Sequence, residues 1–131
     1  MDISASDAPT ILVVEDEPLI RLSVANLLGQ SGFSVLEAAN GDEALSLIAD
    51  RDGICALISD VAMPGTINGF ELARTVRREH PRIGIVLVSG AVAPHGGELP
   101  QGVCYMSKPI RASTLLRLVR QVADPSAALP C

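Results

Sequence analysis

Four nearly unbroken apolar runs limit what this chain can fold into: residues 10–14 (TILVV), 56–59 (ALIS), 85–88 (IVLV) and 103–107 (VCYMS). They are short, rich in β-branched residues, and do not alternate polar with apolar. Runs of this kind suit strands buried on both faces, as in a parallel sheet. Residues 34–38 form a fifth strand candidate. Each run stops abruptly at a polar or turn residue, so the strand ends are easier to read than the strand starts.

Between the runs the apolar spacing becomes helical. Pro18 fits the first turn of a helix, Ile20, Val24, Leu27 and Leu28 mark its apolar stripe, and Gly32 closes it. Asn40-Gly41 turns the chain before a short helix marked by Ala44, Leu45 and Ile48. Phe70, Ala73 and Val76 mark a third helix, ended at His80-Pro81. Leu115, Leu116, Val119 and Val122 mark a final one. All these stripes are read as core. Residues 91–102 break the pattern: Pro94, Gly96, Gly97, Pro100 and Gly102 oppose a helix. The fourth helix of the series is therefore expected to be short or distorted.

Strands alternating with helices predict an α/β fold with a doubly wound, five-stranded parallel sheet. At 131 residues the chain is one domain. The expected division is a flexible tail over 1–9, the folded domain over 10–124 and a second flexible tail over 125–131. With two Phe, one Tyr and no Trp, the core must be aliphatic. A net charge of −5 leaves no basic surplus for nucleic acid or anionic lipid. The first residues lack the basic start and apolar stretch of a secretory signal, so the expected location is the cytoplasm. Cys55 and Cys104 lie in apolar runs and read as small buried hydrophobes, with Cys131 at the chain end. His80 and His95 have no partner at metal-ligand spacing.

In open parallel sheets functional groups gather beyond the carboxyl ends of the strands. Those ends here carry Glu15-Asp16, Asp60, Ser89 and Lys108. Three carboxylates at one rim repel one another and raise their pKa values. A hard divalent cation relieves that repulsion, and Mg2+ takes oxygen ligands while sharing phosphate oxygens. One carboxylate can then serve as a nucleophile toward phosphorus, with Lys108 and Ser89 contacting the phosphoryl oxygens. Taken singly, each residue has an ordinary reading: Glu15 and Asp16 as helix caps, Asp60 as a turn residue, Ser89 as a cap, Lys108 as a solvated lysine. Their coincidence at successive strand ends is what favours a shared site.

These residues carry a resemblance. The chain resembles a response-regulator receiver domain of two-component signalling, of the stand-alone, chemotaxis-regulator-like kind, over roughly residues 10–122. The matching pieces are VVEDEP (13–18), SDVAMPG (59–65), NGFEL (68–72), VSGA (88–91) and KP (108–109). The resemblance implies a flavodoxin-like (βα)5 fold with strand order 2-1-3-4-5. It implies that Asp60 is phosphorylated, that Glu15 and Asp16 hold Mg2+ with Asp60 and the Ala62 backbone carbonyl, and that Lys108 contacts the phosphoryl group beside a cis Lys108-Pro109 bond. Ser89 and Tyr105 would be the switch residues. The implied role is a phospho-accepting regulator, not an enzyme, with slow self-dephosphorylation. The implied phosphoryl donor is a histidine kinase or histidine phosphotransfer protein, acting on a monomer or weak homodimer.

Two departures stand out. The loop over 64–69 is one residue longer than the commonest receiver pattern, and the stretch between Ser89 and Lys108 is shorter. Two other functions compete, beside a degenerate receiver that works by protein contact only, which the presence of all the expected site residues argues against. A haloacid-dehalogenase-type phosphatase needs an acid two positions after the nucleophile, where this chain has Ala62. A nucleotide or flavin module needs a Gly- or hydroxyl-rich loop after the first strand, where this chain has Glu15-Asp16-Glu17.

Overall fold

The apolar runs pair into a single parallel sheet in the computed structural model, which describes residues 8–63, 65, 67–90 and 102–124. The elements in order are β1 (Thr10–Val14), α1 (Pro18–Gln30), β2 (Ser34–Ala38), α2 (Gly41–Asp50), β3 (Ile54–Asp60), α3 (Gly69–Glu79), β4 (Gly84–Ser89), β5 (Val103–Ser107) and α4 (Ala112–Ala123). The strand order is β2-β1-β3-β4-β5, as the resemblance implies. The central strand β3 begins two residues earlier than its apolar run suggests. The register against β1 slips between Thr10 and Ile11, so Cys55 has no partner on β1.

Alternate residues of each strand feed separate cores, which explains why both kinds of position are apolar. Leu12, Val14, Leu57, Ile85 and Leu87 face α2 and α3, where they meet Ala44, Ile48, Leu72, Ala73 and Val76. Ile11, Val13, Ile58, Val86 and Val88 face α1 and α4, where they meet Val24, Leu28, Leu115, Leu118 and Val119. The sheet is thus the middle of three layers, and no Trp is needed to fill it. Cys104 is fully buried in β5 and is disulfide-bonded, so it is more than a small hydrophobe, while Cys55 is a free thiol.

The helix ends follow local chemistry. Pro18 opens α1, and Gly32 follows its end with φ +98°, a conformation that favours glycine. Asn40 is the N-cap of α2 and accepts from the Glu43 N–H, so Asn40-Gly41 starts a helix where a plain turn was expected. Asn68 and Glu71 form a complete capping box on α3. Ile20 corrects the sequence reading: it lies on the stripe assigned to the core, yet it is 37% exposed beside Leu19 and Leu22. On α4, Leu118 takes a core place, while Leu116 and Val122 pack only at the margin. The short or distorted fourth helix was expected within 91–102. That segment lies outside the described residues except Gly102, as do residues 1–7 and 125–131 of the expected tails.

Candidate functional site

Register alone assembles the rim. Val14 pairs with Ser59, so the next residues along these neighbouring strands are Glu15 and Asp60. Ser89 ends β4 opposite Ser107, and Lys108 follows directly. The Lys108 N–H donates to the Ser89 carbonyl at 2.8 Å, which ties the two strand ends together. Parallel strands rise in step, so groups placed one residue past each apolar run meet on the same edge.

Among the described residues, Glu15, Asp16 and Asp60 each offer a carboxylate oxygen, all within 4.8 Å of one another. Glu15 and Asp60 are buried at 6% and 8% exposure, while Asp16 opens to solvent. Lys108, the only lysine of the chain, reaches in with Nζ 3.3 Å from Asp60 Oδ2. One ammonium therefore faces three carboxylates. Burial pushes the Glu15 carboxyl above its usual range. The Glu17 N–H bonded to it opposes the shift, the Asp60 charge and an Asp16 hydrogen bond add to it, and Lys108 offsets part of it. A cluster of hard oxygen donors with uncompensated negative charge fits Mg2+ and suits neither a soft metal nor a bare anion.

The capping alternative for the acids finds partial support. Glu15 Oε2 accepts from the N–H of Glu17, the N-cap of α1, at 3.0 Å, but the Glu17 side chain makes no cap bond. Glu15 thus braces the helix start while its carboxylate also belongs to the cluster. Ala62 lies exposed in the loop two residues past Asp60. Ser89 is buried at the end of β4. Tyr105 is half-buried and packs with the core beneath α2 and α3, away from the carboxylates' own strands. The Lys108-Pro109 bond is cis. In the longer loop, Gly65 adopts φ +109° near the Asp42 carboxylate, and Ile67 covers Gly41 so closely that a Cβ there would collide with it.

Sequence reasoning missed Arg21. Its Nη1 donates to the Glu15 carbonyl at 2.9 Å and its Nε to Glu37 Oε1 at 3.1 Å. The available signal was positional: Arg21 stands four residues after Glu17, one helical turn above the acidic segment.

Comparison with known proteins agrees with this geometry. The family model for the response regulator receiver domain matches residues 11–120. Sensor kinase CckA of Brucella abortus (strain 2308) is 33% identical over 123 residues, covering 91% of this chain and 13% of that protein. The chain spans between 13% and 54% of the length of the first curated relatives it matches. The crystal structure of a response regulator receiver protein from Sinorhizobium medicae WSM419 superposes with a TM-score of 0.84 at 25% identity, covering 91% of this chain and 97% of that one. The response regulator TrrA of Thermotoga maritima, solved in complex with Mg2+ and BeF, gives a TM-score of 0.76 at 28% identity, covering 86% of this chain and 97% of that one.

Proposed function

The chain belongs to the response regulator receiver domain family, and from that premise we propose that Asp60 is the residue that accepts the phosphoryl group. The observation carrying this reading is the convergence of the Glu15, Asp16 and Asp60 carboxylates with Lys108 Nζ 3.3 Å from Asp60. Asp60 is the best placed of the three acids to be the nucleophile. It sits buried at the end of the central strand, and the Lys108 ammonium reaches it there.

The reaction is an in-line transfer. A carboxylate oxygen of Asp60 forms the new P–O bond as the P–N bond of a phosphohistidine breaks. The leaving imidazole keeps the bonding electrons and is protonated there. Phosphoryl transfer demands positioning and charge neutralisation more than acid–base chemistry. Mg2+ held by Glu15, Asp16, Asp60 and the Ala62 carbonyl would neutralise charge on the phosphoryl oxygens. Lys108 exchanges its contact with Asp60 for one with the phosphoryl group, and the Ser89 hydroxyl supplies a hydrogen bond. Water attack on the acyl phosphate returns Asp60 slowly to its starting state, so the chain is a regulator and not a turnover enzyme.

The donor is a histidine kinase or a histidine phosphotransfer protein. An exposed apolar patch supports a protein donor: Leu19 is 75% and Leu22 50% exposed on α1, directly after the acidic segment. With Ile110 just before α4 and Ala112 at its first position, Leu19, Ile20, Val24 and Leu27 line a groove of about 340 Å3. Ser89 and Tyr105 carry the switch toward the output surface.

The test uses acetyl phosphate or beryllofluoride with Mg2+. Intact mass should rise by one phosphoryl group, and Asp60→Asn should abolish the gain. Beryllofluoride should shift amide NMR signals at Ser89 and Tyr105, whereas changes confined to the neighbours of Asp60 would refute the switch. Steady phosphate release from unrelated phosphoesters would favour a phosphatase instead.

A further inference from the structure

We infer that Arg21 is a positioning residue for the divalent-ion site, acting through the backbone of the acidic segment and never touching the ion. This rests on the reading of Glu15, Asp16 and Asp60 as the ion's ligands. The peptide group between Glu15 and Asp16 sets the direction of both side chains. Its carbonyl end accepts from Arg21 Nη1 at 2.9 Å. One residue back, the Glu15 N–H donates to the Ala38 carbonyl of β2 at 3.1 Å. The Glu15 carboxylate is fixed by the Glu17 N–H at 3.0 Å. Of these restraints, only the Arg21 bond holds the peptide plane from which Asp16 departs.

Arg21 is itself clamped. Its Nε donates to Glu37 Oε1 on β2, at 3.1 Å, so the guanidinium spans from α1 across to β2 and back to the acidic segment. A planar fork can serve a carboxylate and a carbonyl at fixed angles, which a lysine ammonium on a flexible stem cannot. Arg21 is one-fifth exposed and Glu37 about two-fifths, so the ion pair by itself contributes little to stability. Its use is geometric: Asp16 is exposed and sits in a bend with no core packing of its own, so beyond its hydrogen bond to the Glu15 carboxyl its direction depends on the peptide plane that Arg21 holds.

The sign of the effect separates this role from a simple charge effect. Arg21 is a cation near an anionic ion site. If it acted through its field alone, removing it would tighten binding of Mg2+. If it positions the ligands, removing it weakens binding, by about tenfold at the lower end of what outer-shell partners contribute.

Titration of the full chain with Mg2+, followed by the amide NMR shifts of Asp16 and Val61, reads this out. Arg21→Met should bind Mg2+ about tenfold more weakly, while Glu37→Gln, which leaves the Glu15 carbonyl bond in place, should change affinity much less. Arg21→Lys should show a smaller loss in the same direction, and it stands in if Arg21→Met fails to fold. Thermal unfolding without metal should be similar in Arg21→Met and Glu37→Gln. Unchanged or tighter binding in the Arg21 variants would overturn the inference. So would equal losses of affinity in Glu37→Gln and Arg21→Met. If the wild type bound no Mg2+ at all, the ligand reading itself would fall and the inference with it; wild-type binding matched by the variants would overturn Arg21 alone.

Discussion

Glu15 shows how a site residue can work against the fold that holds it. Its carboxyl ordinarily titrates near 4.5, and burial raises it in the folded chain. The folded state therefore holds the proton more tightly than the unfolded state does. The stability this contributes is full below 4.5 and is lost as pH rises through the raised folded value. At neutral pH without metal, the ionised Glu15 is a net cost. Glu15→Gln should accordingly unfold at a higher temperature than wild type at pH 7 in chelator. The gap should shrink as the pH falls toward 4.5. A wild-type curve parallel to that of Glu15→Gln across this range would contradict the argument.

At the scale of the elements, glycines show where backbone approach matters. A Cβ on Gly69 would collide with the carbonyl of Asp60 and the backbone of Val61, because α3 starts directly against the end of β3. Gly69→Ala should cost about 1–3 kcal/mol in urea unfolding and disturb the backbone of Asp60 as well. Gly29, in the last turn of α1, has nothing within 4 Å of a Cβ, so Gly29→Ala should stabilise by about 0.5–1 kcal/mol. The capping box of α3 predicts that Asn68→Ala costs about 0.5–2 kcal/mol, measured in the same way. Helix α1 bears a different prediction. Leu19→Glu should slow phosphorylation by a histidine-containing protein donor at least several-fold. Phosphorylation by acetyl phosphate, which needs no apolar contact, should be unaffected.

For the whole molecule the main lever is ion linkage. A ligand that binds only the folded state stabilises it by RT ln(1 + [L]/Kd), or about 2.7 kcal/mol at a hundredfold excess over Kd. Mg2+ should raise the unfolding midpoint of the wild type by that logarithmic law. Asp16→Asn removes one of the three clustered carboxylates without touching the core, since Asp16 is exposed. It should flatten most of the Mg2+ dependence with little change in the metal-free midpoint. No described helix is long and apolar enough to cross a membrane.

The strand-end residues could be read from the chain itself because each apolar run stops where the sheet stops. Glu15, Asp16, Asp60, Ser89 and Lys108 thereby announced a common rim before any pairing was known. The order β2-β1-β3-β4-β5 came from family resemblance, since local pattern says nothing about which buried strand lies beside which. Helical periodicity found all four described helices but misjudged Ile20 and Leu118. It identifies an apolar stripe without knowing how much of that stripe its neighbours cover. Arg21 was only half legible for a related reason: its spacing from Glu15 is local, but Glu37 lies on β2 and meets Arg21 only when β2 lies beside β1. What the residues alone determined was the list of groups at the strand ends and the aliphatic character of the core, because both depend on short-range pattern. The carboxylate separation, the burial that raises Glu15 and the clamp of Arg21 were decided only by tertiary structure, because each depends on register between strands distant in sequence.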